Sequence, residues 1–224
     1  MDFVSIYAAW LIFYTSLFSF LGIFSVLDWR KRGSSDGFSS VNLVLPCLMM
    51  SCWLKHGHIT DDAGSKLLNT FSLFMNTIYI FVYGYYQSKK TNLYAQLTSL
   101  FLAVVLIFTY VDSLEPEEAG ETMGSIAATT QIATMLGGLY EVKRVLSLKT
   151  TEYLPFEIQF AILTLVVQWL FLGLLTGNKH IIIANAPGLI LSTVTLALYY
   201  IYPPITWRVP IIGTQQEKKT EKKD

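Results

Sequence analysis

Apolar positions fall into long runs separated by short polar stretches. Runs occupy residues 4–27, 41–54, 67–86, 93–111, 124–140, 155–175 and 181–202. Their length exceeds that of a buried strand, and most are long enough to cross a bilayer as helices, which takes about 20 residues each. The second run is the short one. It reaches across only if its flanks, Ser39, Ser40 and Lys55, join the helix. Between the runs lie Arg30-Lys31-Arg32-Gly33, Lys55-His56-Gly57-His58, Ser88-Lys89-Lys90, the acidic stretch Asp112 to Glu121, Lys143-Arg144 and Thr176-Gly177-Asn178-Lys179. The pattern predicts an all-α integral membrane protein with seven spans.

Composition supports this reading. Of 224 residues, 53% are hydrophobic and only 14% charged, against about 25% charged in a soluble domain. Twelve spans would need about 240 residues, so the large twelve-helix transporter folds do not fit. Zero net charge and the lack of a basic stripe outside the tail exclude a nucleic-acid binder. Cys47 and Cys52 share one apolar run and offer neither a disulfide framework nor metal-ligand spacing. The first run has no basic residue before it and a basic cluster after it, unlike a signal peptide.

Charge also orients the chain. Alternate loops and the tail hold 13 of the 16 Lys and Arg residues, and the other side has only Lys55, Lys66 and Lys179. The positive-inside rule places the basic side in the cytoplasm and the N-terminus outside or in a lumen. The expected membrane is the plasma membrane, with Golgi and endosomal membranes left open.

The chain also repeats itself. A shift of 116 residues superposes Gly22 on Gly138, Ser34 on Thr150, Trp53 on Trp169, Gly57 on Gly173, Thr60 on Thr176, Asp62 on Asn178, Asn69 on Asn185, Tyr83 on Tyr199 and Tyr86 on Tyr202. Spans one to three therefore match spans five to seven, and the fourth joins them. One crossing between the copies makes them parallel. The expected units are a first three-helix repeat (4–88), a linker helix (93–111), a second repeat (122–204) and a cytoplasmic tail (205–224). Parallel repeats are a transporter architecture with substrate near mid-membrane at the repeat interface.

The residues in register resemble those of the SWEET sugar transporters. The first copy reads Arg32-Gly33-Ser34, Trp53-Leu54-Lys55-His56-Gly57, Asp62 and Asn69-Thr70-Phe71-Ser72. The second reads Lys149-Thr150-Thr151-Glu152-Tyr153-Leu154-Pro155-Phe156, Trp169-Leu170-Phe171-Leu172-Gly173 and Asn185-Ala186-Pro187-Gly188. The resemblance covers about residues 5–205. It implies that Trp53, Asn69, Trp169 and Asn185 line a central sugar site. It further implies a second ring of Thr15, Phe18, Met49, Gln131, Thr134 and Leu165. The family's four hinge prolines correspond to Gly22, Asn42, Gly138 and Pro155, so one proline is kept. The gate tyrosines correspond to His56 and Leu172, and outer aspartates to Asp62 and Asn178.

This set suits a neutral sugar. An asparagine amide both donates and accepts, as sugar hydroxyls do, and tryptophan supplies a flat apolar face. No Asp, Glu, Lys or Arg lies in the middle of a run, whereas coupled carriers keep an ionisable group there. The expectation is bidirectional facilitated transport, without ion coupling, cofactor, metal or enzymatic step. The bulk of Phe18, Met49 and Leu165 points to a monosaccharide such as glucose rather than a disaccharide. Trp10, Trp29, Trp207 and Asn76 have no repeat partner and are read as belt or packing residues. His56, His58 and His180 are read as loop residues. A carrier of amino acids or other small solutes, a seven-helix receptor and a non-transporting membrane partner are the competing readings. A homo-oligomer is left open.

Overall fold

The computed structural model describes residues 2–210 and 212–214. Among them are nine helical segments and no strand, apart from an isolated bridge between Val209 and Gly213. The segments are α1 (Phe3–Ser19), α2 (Gly22–Arg32), α3 (Val41–Ile59), α4 (Ala63–Tyr86), α5 (Thr91–Asp112), α6 (Pro116–Thr134), α7 (Leu136–Leu148), α8 (Phe156–Thr176) and α9 (Lys179–Ile201). They make seven rods, because α1 with α2 and α6 with α7 are each one span broken partway. Five rods are long and apolar enough to cross a membrane on composition alone. The other two, α3 and α6–α7, carry the polar ends that complete the set.

Helices run further into the polar stretches than the apolar runs suggest. α3 continues through Lys55-His56-Gly57-His58, so His56 and His58 belong to a helix rather than a loop. His56 is buried and so is His180, in the first turn of α9. α6 starts at Pro116 inside the acidic stretch, and α7 carries Lys143 and Arg144. Helix continues here because a charged side chain can find a partner without leaving it. Lys55 Nζ lies 2.5 Å from Asp112 and 5.4 Å from the Phe108 ring centroid.

The two breaks occupy equivalent places in the repeats, at Phe20–Leu21 and at Met135. Gly22 opens α2 just after the first, with the Tyr79 ring packed on its Cα. A Cβ there would lie 2.3 Å from Tyr79 Cε2. The Tyr79 hydroxyl donates to the Ser19 carbonyl at 2.7 Å, satisfying a backbone acceptor at the break. At Gly138 a Cβ would likewise clash, lying 2.7 Å from Leu191 Cδ2. α3 also contains Pro46, which has no N–H to offer the Asn42 carbonyl one turn back. A proline thus sits one turn from the aligned hinge position. Asn42 itself lies exposed near Gly137 of α7.

The breaks divide each span between two neighbourhoods. α1 packs on α4 of its own repeat and on α8 of the other, and α6 on α9 and on α3. Past the breaks, α2 packs extensively only on α4, and α7 only on α9. The halves of the molecule are therefore pressed together at the end holding residues 57–62 and 112–121, called here the acidic end. Toward the opposite, basic end the repeats touch little, as where Asn42 approaches Gly137. A core of Cys52, Val111, Ala119, Met123 and Ala127 joins α3, α5 and α6 at the acidic end. Many large apolar side chains point outward, including Phe13, Phe24, Phe81, Phe101, Leu106 and Ile190. A surface of that kind suits a lipid environment.

Residues 205–210 and 212–213, grouped by the sequence with the tail, fold against the second repeat. Pro203, Pro204 and Val209 are fully buried. Trp207 donates its indole N–H to the Glu152 carbonyl at 3.0 Å and meets Tyr199 edge-on. The tail from residue 215 lies outside the described residues.

Candidate functional site

The residues singled out by the repeat fall into two hydrogen-bonded groups, each about one turn from a helix break. On α3, Trp53 donates its indole N–H to Gln131 Oε1 of α6 at 2.8 Å. On α8, Trp169 donates to Thr15 Oγ1 of α1 at 3.1 Å. Trp53 and Trp169 correspond under the 116-residue shift, and so do Thr15 and Gln131. Each tryptophan therefore bonds across to the same position of the opposite repeat. With both indole N–H groups committed, the tryptophans can offer a ligand only their rings.

The asparagines obey the same symmetry. Asn69 Nδ2 donates to the Ser65 carbonyl at 2.9 Å, and Asn185 Nδ2 to the Ile181 carbonyl at 2.8 Å, each one turn back. Both residues are buried. One hydrogen of each amide fixes the rotamer, leaving the other hydrogen and the oxygen for other partners. Asn185 Oδ1 accepts from Gln131 Nε2 at 3.3 Å. Ser65 Oγ, which lies 3.3 Å from Asn69 Nδ2, donates to the Trp53 carbonyl at 3.2 Å. A continuous chain of bonds thus runs Asn69–Ser65–Trp53–Gln131–Asn185, from one repeat into the other. The Thr15–Trp169 pair stands apart from it.

The remaining expected residues separate into distinct surroundings. The Thr134 hydroxyl donates to the Gln131 carbonyl, and the Thr15 hydroxyl to the Leu11 carbonyl. Phe18 is half-buried, edge-on to Tyr14, and Met49 and Leu165 are half-buried. Pro155 is exposed at the N-cap of α8, away from these groups. Asp62 and Asn178 are the N-caps of α4 and α9. Asp62 accepts from the Ser65 N–H, and Asn178 from those of His180 and Ile181. Asn76 has a structural position, donating to the Leu43 carbonyl and contacting Cys47 Sγ on α3.

Sequence reasoning gave His56 a gate position but missed its partners His180 and Glu121. His56 stands edge-on between Trp53 and His180, at centroid distances of 5.6 and 5.8 Å. His180 Nε2 lies 3.3 Å from Glu121, which also takes Lys179 at 2.5 Å. Gly124 makes room, since a Cβ there would come within 2.5 Å of the His180 ring. The signal was available. His56 falls one turn after Trp53, and His180 two residues after the cap Asn178.

Two cavities open at the basic end. One of about 440 Å³ lies among Asp36, Ser40, Tyr83, Lys89 and Gln96, and one of about 240 Å³ among Glu152, Tyr153, Pro155 and Trp207. Neither includes the tryptophans or asparagines above. Hydrogen bonds, chiefly from the Ser88 hydroxyl, hold the Asp36 carboxyl below the usual carboxylate range. No group of three or more His, Cys, Asp or Glu side chains suited to a metal occurs among the described residues.

The halves are separately recognisable as one family unit. The family described as "Sugar efflux transporter for intercellular exchange" matches residues 7–91 and again 121–206. Among similar proteins, the bidirectional sugar transporter SWEET10 of Arabidopsis thaliana is 25% identical over 77% of this chain and 61% of its own length. Sugar transporter SWEET1 of Rattus norvegicus is 24% identical over 88% of this chain and 90% of its own. The chain thus spans about three-fifths of that plant relative and nearly all of the animal one. A solved structure of a eukaryotic SWEET transporter shares the fold, with a TM-score of 0.81, 17% identity, and coverage of 90% of this chain and 99% of that one. With the family unit matched twice, in register with the internal repeat, the chain belongs to the SWEET family of multi-pass membrane proteins.

Proposed function

We propose that the chain carries a neutral sugar, in the first instance a monosaccharide such as glucose, down its gradient in either direction. One observation carries the reading. Trp53, Asn69, Trp169 and Asn185 come from equivalent places in both repeats, each tryptophan bonds across to the opposite repeat beside a helix break, and Asn185 bonds the same Gln131 that holds Trp53. The rings offer apolar faces to a pyranose, and the amides match hydroxyls that donate and accept. The half-buried Phe18, Met49 and Leu165 favour the smaller ring.

Alternating access fits the packing. With the basic end assigned to the cytoplasm by its Lys and Arg, the molecule is closed outside by α3–α6 and the His56–His180–Glu121 cluster. It is parted inside, where α2 and α7 keep to their own repeats. Opening outward requires α3 to leave α6 and the inner halves to meet. The breaks at Phe20–Leu21 and Met135, with Pro46, are where the spans bend. Mid-span charges are absent from the sequence, which supports transport without an ion partner.

The test is purified protein in liposomes, following labelled glucose down its gradient with and without a proton gradient. Equal uptake in both conditions, saturable by unlabelled glucose, is expected. No flux of any hexose or disaccharide overturns the reading, accumulation driven by protons overturns the uncoupled part, and sucrose outrunning glucose overturns the choice of monosaccharide.

A further inference from the structure

The two halves of the site are symmetric in position but not in hydrogen bonding. Where α1 has Thr15, α6 has Gln131. Thr15 accepts from Trp169 and spends its own hydrogen on the Leu11 carbonyl, so its connections end on its own helix. Gln131 has two ends. Its oxygen takes the Trp53 indole at 2.8 Å, and its nitrogen reaches Asn185 Oδ1 at 3.3 Å. Asn185 therefore has its acceptor engaged, whereas Asn69 Oδ1 has no protein donor among the described residues. Trp53 and Gln131 also sit on α3 and α6, the pair whose contact closes the acidic end.

We propose that Gln131 is a positioning residue that couples occupancy of the sugar site to separation of α3 from α6. This rests on the sugar-carrier reading above. A hydroxyl that takes the Asn185 Oδ1 lone pair now facing Gln131 Nε2 displaces that amide. The displaced amide turns toward a new partner, because an N–H left unpaired is costly. Turning it moves the oxygen at its other end, which holds Trp53. A bound sugar thereby loosens the bond that spans the closure, and an empty site leaves it made. The empty carrier reorients slowly and the loaded one quickly, so exchange of sugar for sugar outruns net flux into a sugar-free compartment. Thr15 cannot do this at the equivalent place. It is too short to bridge, and Ile181 replaces the Ser65 that links Asn69 to Trp53.

The experiment compares equilibrium exchange with net uptake of labelled glucose in liposomes, for the wild type, Gln131→Thr and Thr15→Gln. Gln131→Thr retains an acceptor for Trp53 and removes the link to Asn185. Net uptake relative to exchange should rise about fivefold, the factor equivalent to one hydrogen bond of ordinary net strength. Thr15→Gln installs a second bridge and should lower that ratio. Retained exchange shows that a variant is folded and binds sugar. An unchanged ratio in both variants overturns the proposal. So does loss of exchange in both from protein that remains monodisperse, because the two positions would then be substrate contacts. Absence of both flux and exchange in the wild type instead overturns the sugar-carrier reading itself.

Discussion

Replacing Gly22 by alanine sets two opposed effects against each other. Glycine in a helix is less favourable than alanine by about 0.5–1 kcal/mol, so propensity alone makes the change stabilising. Against this, a Cβ at Gly22 would lie 2.3, 2.6 and 2.7 Å from three atoms of the Tyr79 ring. A ring moves as a whole, and this one is pinned by its hydroxyl bond to the Ser19 carbonyl. Clearing the clash means shifting the ring by about 1 Å, an overpacking cost of about 1–3 kcal/mol. Loss of the pin adds about 1 kcal/mol for the hydrogen bond. The clash prevails, with a net loss of about 2 kcal/mol, or a Tm fall of roughly 4–8 °C for a chain of this size. Thermal unfolding in detergent, followed by scanning fluorimetry, measures it. Gly120→Ala is the control, since its Cβ would meet Ile59 at an ordinary 3.6 Å. Propensity then acts unopposed and Tm should rise. The double variant Gly22→Ala/Tyr79→Leu should recover part of the loss. A Gly22→Ala protein as stable as the wild type would refute the argument.

Three further outcomes follow from the geometry. Asn185→Ala removes the amide that bonds Ile181 and Gln131, and should cut liposome glucose flux at least tenfold while the protein stays monodisperse; unchanged flux would remove Asn185 from the site. Hydrogen bonds from Thr206, first its hydroxyl and then the backbone N–H groups of Ile205 and Thr206, hold the Glu152 carboxyl below the usual range. A depressed value means that this hold on residues 205–207 is complete above the ordinary glutamate range and fades as pH falls through the lowered one. Proteolytic release of the tail should rise in acid for the wild type and be high at neutral pH for Glu152→Ala, whereas pH-independent release would contradict the assignment. Gly124→Ala drives a methyl into the His180 ring, and should make a single cysteine placed at position 58 react faster with a membrane-impermeant thiol reagent applied to the acidic end, in a background lacking Cys47 and Cys52.

Periodicity and the internal repeat made the seven-rod architecture legible and picked out Trp53, Asn69, Trp169 and Asn185 as paired positions, because both depend on which residue types recur and how far apart. The pairing of those residues was not legible. Whether an indole donates to a sugar or to Gln131 is decided by rotamers and by the crossing of α3 with α6. The extent of α3 beyond Lys55 was misjudged for a related reason. Lys55, His56 and His58 end the apolar run, yet Lys55 finds Asp112 and His56 is covered by Trp53 and His180. The fold of 205–209 escaped notice because Pro203-Pro204 reads as the start of a tail. Trp207 is drawn back by an acceptor on the Glu152 backbone.

The crossing of α1 onto α8 and of α6 onto α3 makes neither repeat a self-sufficient module. Each lends the acidic-end half of its first span to the other, as two subunits do when they exchange an arm. The molecule has the construction of a dimer sealed into one polypeptide, with α5 as the tether that keeps the copies parallel. Joining the copies frees them from being identical. A symmetric dimer of one such repeat would have to carry the same residue at the positions of Thr15 and Gln131, whereas the tethered form can place a short hydroxyl on one side and a two-ended amide on the other.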